Sequence, residues 1–120
     1  MGKKIISYLI VLVFLLFISC GENCNELPNS FSNYEQAREM VLTSNYQITE
    51  VADVSDSPWI TSVEYLSCDG LNGFFVIKIK DKTYIHQNMP IEVWENFNKA
   101  ESKGSFYSRK IRGKYQLNLN

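Results

Sequence analysis

Cys20, Cys24, Cys68 and the single histidine, His86, carry the most reactive side chains in this 120-residue chain. A thiol beside an imidazole can serve as a nucleophile with its base, so Cys68 and His86 are the pair to weigh for covalent chemistry. Cys68 opens an Asp-Gly turn, Cys68-Asp69-Gly70, and no third residue that would orient the imidazole is identifiable. The chain also lacks Gly-x-Ser-x-Gly, His-Glu-x-x-His, Cys-x-x-Cys and a Gly-rich phosphate loop. No motif-grade catalytic site results, and neither a cofactor nor a metal is expected. One histidine cannot build a multi-His cage, and Glu92 and Glu95 read as a polar helix face.

Recognition chemistry is better represented. Tyr84 and His86 alternate onto one strand face shortly before Pro90, and Ser102 follows at the end of the next helix. Farther on, Lys99, Lys103, Arg109, Lys110, Arg112 and Lys114 interleave with Phe106, Tyr107 and Tyr115. Tyr84, His86, Ser102, Arg112 and Tyr115 are therefore the candidate binding residues. The competing structural reading packs Tyr84 on a helix, hydrogen-bonds His86 to a neighbour and leaves the cations on a solvated face. In a cytoplasmic protein, cations interleaved with rings would suit nucleic acid. In an exported one, a protein or an anionic envelope component is the expected partner.

The N-terminus bears on that choice. Lys3 and Lys4 precede an apolar stretch, Ile5 to Ile18, too short to span a bilayer, which needs about 20 residues. It has the form of a secretory h-region behind a basic n-region. Phe17-Ile18-Ser19-Cys20 resembles a bacterial lipobox, with Phe17 where leucine is usual. By that resemblance residues 1–19 are a lipoprotein signal peptide and Cys20 is the acylated, palmitate-bearing anchor. Multiple acyl chains hold firmly where one chain holds marginally. Gly21 follows instead of aspartate, so the outer membrane is favoured over the inner within the cell envelope. Once Cys20 is acylated, Cys24 is the remaining partner for Cys68, and a bridge between them competes with two free thiols.

The elements that must position these residues follow from local signals. Residues 20–30 are polar and read as a tether. Ser32 to Glu35 has capping-box spacing ahead of a helix over 33–43, with Tyr34, Ala37, Met40 and Val41 on one stripe. An edge strand over 46–54 completes an accessory unit, 31–56. Trp59, Thr61, Val63 and Tyr65 alternate along a second strand; Phe75, Ile77 and Ile79 face one way along a third, with Phe74, Val76 and Lys78 opposite. A turn at Asp81-Lys82 leads into a fourth strand over 83–87. Pro90 opens a helix over 90–101 with Ile91, Trp94 and Phe97 inward, Gly104 ends it, and Phe106, Tyr107 and Ile111 anchor a last helical turn. The expected fold is a small α+β domain, an antiparallel three- to four-stranded meander covered on one face by helices.

Charge is unevenly distributed over this frame. The whole chain is nearly balanced, with a formal net charge of −1. Cys20 to Asp69 holds one cation, Arg38, against nine carboxylates, whereas Gly70 to Asn120 holds nine cations against four carboxylates. Such halves either mark separate contact surfaces or complement each other when packed.

From Ser57 onward the residues resemble the KTSC domain, a bacterial module known from the C-termini of some lysyl-tRNA synthetases. The resemblance rests on Ser57 and Ile60, Tyr65, Tyr84-Ile85-His86, Pro90, Ala100-Glu101-Ser102-Lys103-Gly104, Phe106-Tyr107, Ile111-Arg112 and Tyr115. His86 stands where the family pattern has a second tyrosine. The resemblance places the domain at 57–115. The family has no settled function, and RNA binding is the role its synthetase association suggests. The expected function is thus an exported, lipid-anchored binding or interaction module, with RNA binding as the alternative if the N-terminus is not a cleaved signal.

Overall fold

A computed structural model describes residues 23–120 of the chain. The expected signal peptide, residues 1–19, and Cys20 lie outside the described residues. The elements, in order, are α1 (Tyr34–Thr43), β1 (Ile48–Val51), β2 (Ile60–Ser67), β3 (Asn72–Ile79), β4 (Lys82–Pro90), α2 (Ile91–Lys99) and α3 (Lys103–Phe106), with a π-turn at Tyr107–Ile111. The four strands form one antiparallel sheet in the order β1-β2-β3-β4, the expected α+β meander. Among the described residues no helix is long and apolar enough to cross a membrane.

Alternation along β3 sorts the interior into two layers. Phe75 and Ile77 are fully buried on the face that packs against α2 and the π-turn, with Tyr65, Trp94, Phe97, Tyr107 and Ile111. Tyr65 stacks on Trp94 at 5.3 Å between centroids, and Phe75 meets Phe97 edge-on at 5.0 Å. The three polar tips are satisfied: the Tyr65 hydroxyl donates to the Met89 carbonyl at 2.8 Å, Trp94 Nε1 donates to Glu50 of β1 at 3.2 Å, and the Tyr107 hydroxyl lies 2.9 Å from His86 Nε2. Aromatic rings therefore fill this layer without stranding a donor. Val76, Leu66 and Ile85 point the other way and meet Phe31, Ala37 and Val41. Helix α1 thus covers the opposite face, a second helical layer beyond the one expected from the sequence.

Several local expectations are corrected. The N-cap of α1 is Asn33, whose side chain accepts from Gln36 N at 2.8 Å while Gln36 Oε1 accepts from Ser32 N at 2.8 Å. The reciprocal cap is one residue later than Ser32 and Glu35 suggested, because asparagine caps as well as serine. In β2 a register shift between Ile60 and Ser62 interrupts the alternation, so Thr61 is exposed and does not share the inward face of Val63 and Tyr65. Pro90 is the N-cap of α2, with φ −61° and ψ 145°, instead of its first helical residue.

Gly104 does not end α2, which stops at Lys99 with Ala100 as its C-cap. It lies buried inside α3, where a Cβ would come within 2.7 Å of Trp59 Cζ2. Close helix–ring packing, and not chain termination, is what this glycine provides.

The expected tether is also corrected over the residues described. Asn23 bridges Asn45, Cys24 N donates to the Asn45 carbonyl at 3.1 Å, and Cys24 is buried. A Cys24–Cys68 disulfide, with Cα atoms 5.8 Å apart, joins this segment to the β2–β3 turn. In that turn Asp69 Oδ1 accepts from Leu71 N at 2.8 Å and Asn72 N at 3.0 Å, and these backbone bonds hold its carboxyl below the usual range. Gly70, at φ 77°, supplies the left-handed step.

Candidate functional site

The edge strand β4 carries two of the five candidate binding residues, Tyr84 and His86. It enters from a two-residue turn whose first residue, Lys80, has φ 56°, and it ends after a register shift that places Asn88 at φ 57°. That shift inserts an extra β4 residue between the pairs Phe75–His86 and Gly73–Met89. His86 bridges Gln116, and Gln87 N donates to the Tyr115 carbonyl at 3.0 Å. The C-terminal segment therefore covers the second half of β4 and leaves Lys82 to Tyr84 on the open part of the edge.

His86 is inside the molecule. It is only 8% exposed, Nε2 lies 2.9 Å from the Tyr107 hydroxyl, and the rings of Tyr107 and Phe75 flank it at 5.4 and 5.9 Å. Burial pushes its pKa below the ordinary imidazole value, offset in part by the nearby Tyr115 carbonyl. The imidazole makes no regular hydrogen bond through Nδ1. A neutral ring held by a buried tyrosine orients β4 against the π-turn. Its partner Tyr107, read in the sequence as an apolar anchor and as one of the rings among the basic residues, is the member not counted among the candidate binding residues. The adjacent Phe106-Tyr107 aromatics were the available signal, but nothing local linked Tyr107 to a strand 21 residues away.

Tyr84 has the opposite disposition, 41% exposed. Burial raises the pKa of both Tyr34 and Tyr107, and the Tyr84 phenol adds to the rise in each. Arg112 follows the π-turn, its backbone N–H donating to the Tyr107 carbonyl at 2.9 Å. Its exposed guanidinium draws the Tyr107 pKa down against the larger upward push of burial. Tyr115 is half-buried against the aromatic layer. His86 thus contacts Tyr107 directly, Tyr84 and Arg112 act on Tyr107 electrostatically, and Tyr115 packs on the same aromatic layer.

Ser102 is not part of this group. It is the N-cap of α3, accepting from Ser105 N at 3.2 Å, and it lines a separate cleft of about 230 Å³ with Ser57, Trp59 and Gly104. Ser57 in turn accepts from Ile60 N at 3.3 Å. Both serines are employed in shaping backbone. Cys68, in its disulfide at the β2–β3 turn, is not a thiol partner for His86. Among the described residues no group of three or more His, Cys, Asp or Glu side chains is placed to hold a metal ion.

On the other side of Tyr84 a cleft of about 420 Å³ opens between α1 and the β3–β4 turn, lined by Tyr34, Arg38, Asp81, Lys82, Thr83 and Tyr84. The open end of β4 is accordingly bordered by Arg38 and Lys82. Neither the curated proteins nor the solved structures contain a match to this chain. The family model of the KTSC domain does match, over residues 74–115. The similarity thus starts in β3, includes the whole of β4 and ends at the tyrosine whose carbonyl secures Gln87.

Proposed function

We propose that this protein is an exported, lipid-anchored binding module, held in the cell envelope by Cys20 and presenting the open edge of β4 as its contact surface. The observation that carries the binding reading is Tyr84, a large aromatic left 41% exposed on an edge strand. Two cations, Arg38 of α1 and Lys82 of β4, line the cleft beside it. Exposed aromatics supply contact area at low entropic cost, and flanking cations supply charge selectivity. His86, Tyr107 and Tyr115 act beneath this surface as positioning residues.

Export is supported by the Cys24–Cys68 disulfide, since such bonds persist in oxidising compartments. The lipobox-like Ser19-Cys20 lies four residues ahead of the bridged Cys24. A domain stapled this close to its anchor would stand directly on the bilayer surface. Outer-membrane placement follows from Gly21 and is part of the same proposal.

The test is intact mass and membrane fractionation of natively expressed protein, with Cys20→Ser as control. A membrane-bound species beginning at acylated Cys20, absent from the control, is the expected result. A soluble, unacylated, full-length protein in the cytoplasm would overturn the anchor and make RNA the leading ligand for the same basic and aromatic residues.

A further inference from the structure

The geometry points to the cleft between α1 and the β3–β4 turn as a binding site for a small soluble ligand that joins a phosphate or carboxylate to a planar ring. This inference deepens the reading of the β4 edge as a contact surface and rests on it. Three features of the cleft converge on that ligand.

The first is the Tyr34 hydroxyl, which is buried and has no hydrogen-bond partner. A buried donor without an acceptor is unfavourable by about 1–3 kcal/mol, and an oxyanion oxygen entering the cleft is the acceptor it lacks. Burial raises the pKa of this phenol, so it remains a donor at neutral pH. The second is cationic charge. Arg38 acts directly on the Tyr34 hydroxyl, favouring negative charge at that point, and Lys82 lines the same wall. Guanidinium and phenol groups lining one cleft match the several acceptor lone pairs of an oxyanion. Asp81 in the cleft and Glu35 beside Tyr34 oppose this field, and they favour a ligand of limited charge over a polyanion. The third is the exposed ring of Tyr84, with Tyr34 lining the same cleft, which offers aromatic surface for a planar body.

The position of the cleft argues for a soluble ligand over the headgroups of the anchoring membrane. Tyr34 begins α1, whereas Asn45, just past its end, meets the anchor-proximal Asn23 and Cys24. A ten-residue helix rises about 15 Å, so the cleft opens roughly that far from the anchored end.

The experiment is isothermal titration of the full-length, detergent-solubilised protein with phenyl phosphate, phenol and inorganic phosphate, and flotation with phosphatidylglycerol vesicles. Arg38→Gln and Tyr84→Ala alter exposed residues and are compared with Lys110→Ala, which is outside the cleft. The expected result is binding of phenyl phosphate, weakened about tenfold or more by Arg38→Gln and by Tyr84→Ala and unchanged by Lys110→Ala, with weaker binding of phenol and of phosphate alone. Phenol binding as tightly as phenyl phosphate, and lost in Tyr84→Ala, would overturn the oxyanion while leaving the β4 edge as a contact surface. Arg38-dependent vesicle binding without phenyl phosphate binding would overturn the soluble ligand in favour of a headgroup. No binding of any probe, or binding indifferent to both cleft substitutions, would overturn the site and the contact surface together.

Discussion

Gln87 and Asn118 are joined across 31 residues of sequence, the Asn118 backbone N–H donating to Gln87 Oε1 at 2.9 Å. The same side chain, only 5% exposed, uses its Nε2 to reach the Asn29 carbonyl at 3.0 Å. One buried amide therefore ties the segment before α1 to the segment after the π-turn. Phe31 completes the junction, its N–H donating to the Asn118 carbonyl at 2.9 Å and its carbonyl accepting from Asn120 N at 2.8 Å.

Substituting Gln87→Leu should therefore loosen both ends at once. Two hydrogen bonds are lost, and the expected destabilisation is about 2–3 kcal/mol. Hydrogen exchange offers the sharper check, with faster exchange at Phe31, Asn118 and Asn120 but not at the β2–β3 amides. Uniform acceleration across the sheet would mean that Gln87 supports the whole core instead of this junction.

The Cys24–Cys68 disulfide closes a sequence separation of 44 residues. Constraining a loop of that length in the unfolded chain corresponds to about 4 kcal/mol. A Cys24→Ser, Cys68→Ser double variant should unfold at correspondingly lower denaturant concentration with the sheet retained. Mass spectrometry of the unreduced protein after alkylation should find neither cysteine labelled.

His86 makes stability depend on pH. Its folded pKa lies below the ordinary 6.5, so below that pH the unfolded chain takes up a proton that the folded protein resists. Stability should hold above about pH 6.5 and fall as the pH drops from there through the folded value. Tyr107→Phe removes the hydroxyl partner of a buried nitrogen and should destabilise by about 1–3 kcal/mol at neutral pH. Replacing both His86 and Tyr107 by phenylalanine should destabilise by less than the sum of the single changes and abolish this part of the pH dependence. Thermal melts of the four proteins from pH 5 to pH 8 check both statements.

Gly104 is where α3 touches the Trp59 ring. Gly104→Ala should cost about 1–3 kcal/mol, because the added carbon enters a packed contact and gains little helix propensity in so short a helix. Trp59→Leu in the same chain should recover part of the loss. Additive destabilisation in that double variant would separate the glycine from the ring and assign its role to the backbone.

The order of elements was legible in the residues themselves. Phe74 to Ile79 alternates so regularly that its two faces can be read directly, and both are buried as the period of a strand requires. The stripe of Ile91, Trp94 and Phe97 defined α2, and the Asp-Gly pair defined the β2–β3 turn. These are short-range consequences of backbone geometry, so neighbouring residues suffice to specify them. The KTSC pattern was likewise legible, because it is carried by residue order. What the tertiary structure alone decided is which of the marked residues meet. Serine at position 102 reads identically whether it faces a ligand or caps a helix, and only the fold makes it the cap of α3. His86 was separated from its partner Tyr107 by the two helices α2 and α3, and Tyr84 from Tyr34 by three strands. Contacts between residues so far apart along the chain depend on strand register and helix placement. Those follow from packing the whole interior at once, which no local stretch of sequence encodes.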